Sequence, residues 1–378
     1  MKEYGFYGRL LAISGMVLSI SLSLASGSGC SGPEEGVPIS TIHGPLDCDT
    51  VQIDRRLNMP EEVPVADMSY FRFDEEGNLY CLDRVNCMVH KFDINGDYCA
   101  SISGRGSGPA ELSAPTGFAL LGNGMLVVPD GSSMTCNAFS SDGEYMGGVI
   151  EWDRFIPNDI CAIGDNSFVG SVFRVGSEDG NMAIQFAIER YTSTPQPEDT
   201  LYEKSWVWSP ETSHEMYEDY GRVLYTGSRG GKFFLVENWN EYRVQIYGAD
   251  GALERIIRRD DLLPIAKHDS VVDSEREIFE TRRQQDQAYT GGYEPDRYYP
   301  LIRSIGVDKS GNLWICRGDS YPAAYFDVWN PDGRALGALY LAGSEEKPRS
   351  EYHVGTEGIV EYRATDSGEL SAGILPFE

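Results

Sequence analysis

Four side chains in this 378-residue chain each stand six residues after a glycine: Asp83 after Gly77, Asp130 after Gly124, Glu237 after Gly231 and Arg317 after Gly311. Equivalent positions in a closed ring of repeats come together around an axis, so these groups could line a channel. Carboxylates gathered there could hold calcium, a cation that takes several oxygen ligands. Arg317 in the same ring works against a pure metal site. The plainer alternative is that each side chain caps its own turn through an Asx-type hydrogen bond. The metal is left unassigned, and no other cofactor is expected.

Other chemistry-bearing residues are sparser. Gly104 to Glu111 (GRGSGPAE) resembles a phosphate loop only superficially, because it lacks the terminal Gly-Lys-Ser/Thr and a following helix. Its flanks read as strands, which makes it a crossover at the mouth of a channel. Arg105 is the ligand contact expected there, since a guanidinium grips carboxylates or hydroxyls. Glu111 is expected to hold a nearby backbone group or arginine. The five histidines (His43, His90, His214, His268 and His353) show no metal-ligating spacing. No Gly-x-Ser-x-Gly elbow is present, so no catalytic set is assigned. Trp206 and Trp208 alternate along a strand and read as filling between sheets. Trp239 and Tyr293, with Tyr242, Tyr298 and Tyr299 nearby, could form aromatic platforms for sugars or peptides.

What must position these groups is a repeated strand-turn unit. Phe71 to Leu112 reads strand, turn, strand, turn, strand, then the glycine-rich crossover. Glu75-Glu76-Gly77-Asn78 and Ile94-Asn95-Gly96-Asp97 are hairpin turns, which need positive φ at one or two positions. Gly77 and Gly96 are 19 residues apart, as are Gly124 and Gly143, and Gly124 follows Gly77 by 47. A degenerate third unit starts at Gly164, and a clearer fourth pairs Gly231 with Gly251. A fifth pairs Gly311 with Gly333, and a fragment near Ile359 to Tyr362 offers about two strands.

Four-stranded units of this length are the signature of a β-propeller. The expected fold is all-β, a six-bladed β-propeller spanning 50–378. Thr50 to Leu57 is expected to complete the last blade, which closes the ring and removes an exposed edge. Between the fourth and fifth blades, about 259–300, a helical insertion is expected over Glu275 to Ala288, preceded by the capping spacing Ser274-x-x-Glu277.

The first 29 residues read as a signal peptide. Lys2 and Arg9 precede an apolar run, Leu10 to Leu24, that is short for a membrane span. Cys30 follows as the expected lipidated residue, with 30–49 as a tether. The net charge of −28 repels phosphate backbones, which excludes nucleic acid as a partner. The seven later cysteines have irregular spacing and are not a disulfide framework, although one disulfide is conceivable in an exported chain. Cys81 and Cys316 lie in strand-like runs and read as small buried hydrophobes.

Three stretches carry a resemblance: Asp74 to Tyr98 (DEEGNLYCLDRVNCMVHKFDINGDY), Gly104 to Leu112 (GRGSGPAEL), and Tyr298 to Arg317 (YYPLIRSIGVDKSGNLWICR). Together they are similar to the six-bladed propeller lipoproteins of Bacteroidetes, related to NHL-repeat and TolB-like propellers. The loop departs at Ala110, where that family has glycine. The resemblance implies an outer-membrane lipoprotein, periplasmic or surface-exposed, anchored in the membrane by lipid only. The function expected is a ligand-binding or interaction module whose partner is a glycan, a peptide or an envelope protein. The alternative is a propeller lyase or hydrolase acting on a glycan or peptide through axial carboxylates.

Overall fold

The computed structural model describes residues 36–178, 180–209, 216, 219–285, 295–346, 350–364 and 370–377. The expected signal peptide, Cys30 and Tyr293 therefore lie outside the described residues. Three short N-terminal strands come first: β1 (Ile39–Thr41), β2 (Cys48–Val51) and β3 (Arg55–Arg56).

Blade 1 is β4 (Ser69–Phe73), β5 (Leu79–Asp83), β6 (Met88–Phe92) and β7 (Tyr98–Ile102). Blade 2 is β8 (Ala119–Leu120), β9 (Leu126–Asp130), β10 (Thr135–Phe139) and β11 (Tyr145–Glu151). Blade 3 is β12 (Asn158–Ile163), β13 (Ser167–Glu178), β14 (Asn181–Tyr191) and β15 (Asp199–Val207). Blade 4 is β16 (Leu224–Gly227), β17 (Phe233–Val236), β18 (Arg243–Tyr247) and β19 (Leu253–Arg258). Blade 5 is β20 (Ile302–Val307), β21 (Leu313–Arg317), β22 (Ala324–Trp329) and β23 (Ala335–Leu341). Blade 6 takes β24 (Glu351–Gly355), β25 (Gly358–Ala364) and β26 (Leu370–Pro376), with β3 as its outer strand. The chain is an all-β, six-bladed propeller.

In each blade the first strand is innermost, and inner strands neighbour one another around the axis. The first and third turns of every blade therefore lie on one face, called lower here. The second turns and the crossovers lie on the upper face. The glycines expected in the lower turns (Gly77, Gly96, Gly124, Gly143, Gly231, Gly251, Gly311 and Gly333) all have positive φ. Gly96 also needs its missing side chain, because a Cβ there would lie 2.4 Å from the Arg56 carbonyl oxygen.

Closure goes further than the sequence suggests. The expected strand over Thr50 to Leu57 is divided between two blades. Arg55 and Arg56 pair antiparallel with β26, which closes blade 6. β2 instead pairs parallel with β23 on the outside of blade 5, and β1 pairs parallel with β19 on blade 4. The N-terminal segment thus belts three consecutive blades. The sixth blade supplies three of its own strands where about two were expected.

The apolar core is six lobes rather than one. Each buried cluster straddles two adjacent blades, such as Leu82, Val89, Phe118 and Phe139 between blades 1 and 2, or Val244, Ile257, Leu313 and Trp329 between 4 and 5. Side chains alternate along each strand, so every blade feeds the lobes on both of its faces. Burying such a residue contributes about 1.5–3 kcal/mol, which ties each blade to both neighbours. Cys81, Cys87, Cys136, Cys161 and Cys316 are buried and all seven described cysteines are free thiols. Burial pushes the Cys161 thiol up to about 11.

The helix between blades 4 and 5 is α1 (Asp269–Gln285), which begins six residues before the expected start. His268 sets that start, its carbonyl accepting from Val271 N–H and its ring lying 2.9 Å from the Ser270 hydroxyl. Val272 is buried, and Lys267 holds Glu275 at 2.8 Å, fastening the first turns to the preceding chain. Blade 3 departs from the others in length. β13 has 12 residues where β5 has 5, which carries its upper turn about 20 Å beyond the equivalent turn of blade 1.

Candidate ligand-binding mouth at the propeller axis

The four residues spaced from the turn glycines end or follow second strands, one strand outward from the axis. Asp83 and Asp130 are sealed from solvent and their carboxylates are committed to backbone amides. Asp130 accepts from Ser113 and Ala114 at 2.6 and 3.0 Å, and from Ser132 and Ser133 at 2.9 and 3.1 Å. Asp83 accepts from Ala66 and Asn86, both at 2.8 Å. Each aspartate therefore caps its own turn and also pins the crossover that enters its blade, 17 residues upstream in both cases. Among the described residues no group of three His, Cys, Asp or Glu could hold a metal ion.

Glu237 and Arg317 have other surroundings. Glu237 is exposed and lies 3.8 Å from Arg243. Arg317 grips Asp319 at 2.6 Å and reaches Asp327 at 3.4 Å. Asp327, fully buried, also accepts from Arg259 at 2.9 Å and from the Tyr242 hydroxyl at 2.7 Å. Burial, then the Asp327 carboxylate, push the Tyr242 phenol well above its ordinary value. Of these groups Arg259 and Arg317, with Asp261 and Tyr325, line a cleft of about 360 Å³ between blades 4 and 5, beneath Pro45 and Leu46 of the N-terminal belt. The cleft lies away from the axis.

Asp327 belongs to a pattern that sequence reading missed. His90, Asn137, Glu189, Gln245 and Asp327 are buried polar residues on the third strands of blades 1 to 5. Each is followed two positions later by an aromatic: Phe92, Phe139, Tyr191, Tyr247 and Trp329. Tyr191 and Tyr247 donate their hydroxyls back to Glu189 and Gln245 at 2.6 and 3.1 Å. A polar-x-aromatic triplet whose polar residue stands six positions before the third-turn glycine in blades 1, 2, 4 and 5 (Gly96, Gly143, Gly251 and Gly333) was the signal available.

The crossover from Gly104 to Glu111 folds on itself. Glu111 accepts from Gly108 N–H at 2.7 Å, and a Cβ on Gly106 would lie 2.0 Å from the Glu111 carboxylate. A side chain at 106 would have to push the Glu111 carboxylate off this position. Arg105 is exposed and donates to the Val85 carbonyl on the upper face.

The inner strands carry the groups nearest the axis. Arg72 of β4 reaches past blade 2 to donate to the Ile160 carbonyl on β12 at 3.0 Å, its guanidinium 6.0 Å from the Phe118 ring. Above it, Tyr70 and Asp159 hold φ of 55° and 50°, the left-handed region that costs a non-glycine residue about 1 kcal/mol or more. Both sit where the inner strand slips register against its neighbour, and β20 slips at the same level between Ile302 and Ser304. The upper ends of blades 1, 3 and 5 are thus bulged, and bulges re-aim side chains at sites. The Tyr225 hydroxyl donates toward the Asp159 carbonyl at 2.8 Å and accepts from Ser171 N–H at 3.0 Å, bracing the bulge.

Aromatic and cationic groups continue this face outward. Arg303 lies 5.2 Å from the Tyr321 ring and 5.1 Å from the Tyr352 ring. Tyr321 stacks on Tyr299 at 3.8 Å, and Lys267 lies 5.8 Å from Tyr299. This cation–aromatic column runs from the segment before α1 to the inner strand of blade 6. Tyr298 beside it is 53% exposed. Trp239 is half-buried next to the start of β20, its carbonyl accepting from Ile302 N–H at 3.0 Å. Polar residues interrupting the inner strands (Arg72, Asp159, Arg303) were the sequence signal for this mouth.

The lower end is different. Gly122 N–H donates to Asp165, Gly164 N–H to Ser228 and Lys309 N–H to Thr356, at 2.8 to 2.9 Å, linking first turns of adjacent blades. Arg229 of blade 4 pairs with Glu75 of blade 1, directly across the ring. The lower mouth is laced and bridged.

No family profile and no curated protein matches the sequence. Among solved structures, a Bacteroides fragilis protein described as exported is 11% identical, over 90% of this chain and 100% of its own, with a TM-score of 0.47. A member of the DUF4221 family from Bacteroides vulgatus is 12% identical, over 85% of this chain and 95% of its own, with a TM-score of 0.46. Calcium-binding regucalcin from Agrobacterium tumefaciens is 10% identical, over 86% of this chain and 95% of its own, with a TM-score of 0.41. Likeness at this distance transfers neither ligand nor activity.

Proposed function

We propose that this chain is an exported propeller, lipid-anchored through Cys30 at the outer membrane, that binds a glycan- or peptide-derived ligand at its upper mouth. The observation that carries the reading is the difference between the two ends of the axis. Turn-to-turn hydrogen bonds and the Arg229–Glu75 bridge close the lower end. The upper end holds strained residues on inner-strand bulges beside an aromatic column and the exposed Tyr298. Strain of this kind persists where surrounding structure enforces it, commonly at ligand sites. Arg105 and Trp239 lie on the same upper face and complete the contact set. Among the described residues no helix is long and apolar enough to cross a membrane.

The test is binding to glycan and peptide libraries, followed by titration of the Arg105→Ala, Tyr298→Ala and Trp239→Ala variants. Each should weaken the ligand found several-fold without changing the unfolding midpoint. Unchanged affinity in all three would remove the mouth as the site. The enzymatic reading keeps one specific support, the carboxyl-bearing Asp159 at a strained backbone position on an inner strand. Turnover by the wild type that Asp159→Asn abolishes would establish it.

A further inference from the structure

We infer that the chain is held from its closed face, so that the mouth points away from the membrane and takes its ligand from the aqueous side. This rests on the lipid-anchored reading above. The polarity of β1 carries the argument. Fourth strands run from the lower to the upper face, and β1 pairs parallel with β19, Ile39 opposite Ile256 and Thr41 opposite Arg258. Followed backward, the chain therefore descends toward the lower face. Ser40 accepts from Arg255 at 3.1 Å, and a Cβ on Gly333, in a lower turn of blade 5, would lie 2.9 Å from the Ser40 hydroxyl. The first belt strand is thus seated beside the lower turns.

Distance then limits what the anchor permits. Cys30 precedes Pro38 by eight residues, which span at most about 29 Å when fully extended. Turning the mouth to the bilayer would require that length to climb the side of blade 4. It would also have to clear the upper hairpin of blade 3, which alone adds about 20 Å. The lower face has no such obstacle. A ligand belonging to the chain's own bilayer, such as a lipid headgroup, is therefore out of reach of the mouth, and a soluble glycan or peptide is within it.

The experiment uses the full lipidated chain in phosphatidylcholine vesicles carrying a headgroup-linked energy acceptor. Cys48→Ser and Cys99→Ser remove the exposed thiols among the described residues. A donor dye is then placed at Ser132→Cys, in an upper turn, or at Asp332→Cys, in a lower turn. Energy transfer from position 332 should be several-fold higher than from 132. Equal transfer, or higher transfer from 132, with the protein still bound to vesicles overturns the orientation and leaves the anchor standing. Protein that does not sediment with vesicles overturns the anchor and the orientation together.

Discussion

Arg229 and Glu75 pair across the propeller axis from turns of blades 4 and 1, which face each other in a ring of six. Neither side chain is buried, at 35% and 60% exposed. The pair therefore marks the closed end more than it holds the ring together. Exposed ion pairs contribute about 0–1 kcal/mol. Arg229→Ala should lower unfolding stability by no more than about 1 kcal/mol in urea titration, and leave ligand affinity at the upper mouth unchanged. A changed affinity would mean that the two ends communicate.

Asp130 and Glu237 occupy equivalent repeat positions with opposite environments, so they should respond differently to the same change. Asp130→Ala strips acceptors from four backbone amides around a sealed site, and a loss of about 3 kcal/mol is expected from unsatisfied buried donors. Hydrogen exchange at Ser113 and Ala114 should accelerate with it. Glu237→Ala, at an exposed position, should stay within about 0.5 kcal/mol. Similar losses for both would argue against the crossover-pinning role of the aspartate.

Asp327 joins blade 5 to blade 4 through Arg259 and Tyr242, and holds Arg317 within its own blade. Asp327→Ala should cost about 3 kcal/mol, because the Tyr242 hydroxyl and both guanidiniums lose a buried acceptor while Arg259 keeps its pairing with Asp261. Asp327→Asn, which keeps the shape, should cost less. Chemical denaturation of both variants reads the difference.

Asp261 is held well below the usual carboxylate range, first by its hydrogen bond from Arg259 and then against a smaller cost of burial. A folded-state value depressed below the unfolded one contributes stability that is fully present above the unfolded value of about 3.9. That contribution is lost as pH falls from there through the folded value. Asp261→Asn should therefore be less stable than wild type at neutral pH, and the gap should narrow below about pH 4. Denaturant titrations across that range measure it, and a gap independent of pH would assign the effect to something other than this carboxylate.

The blades were legible because their signals are local. Gly77, Gly124, Gly231 and Gly311 take positive φ at turns, and the runs between them alternate or stay apolar as second and third strands require. The helix was legible in kind but not in start, because His268 sets the first turn through its carbonyl and ring, and its sequence neighbourhood resembles no capping box. The repeat of Asp83 and Asp130 was visible too. Their task was not, since a carboxylate six residues past a turn glycine reads equally well as channel lining or as a backbone acceptor.

Sequence alone determined the strand-turn unit, its repetition and hence the propeller, because each hairpin depends on residues within one turn of one another. Tertiary structure decided which edges the short segments Ile39–Thr41 and Cys48–Val51 would cover, since three or four extended residues carry no preference for one exposed edge over another. It also decided that Arg72 reaches blade 3 and that Arg229 meets Glu75. Those partners are 88 and 154 residues apart in the chain, and only closure of the ring brings them within bonding distance.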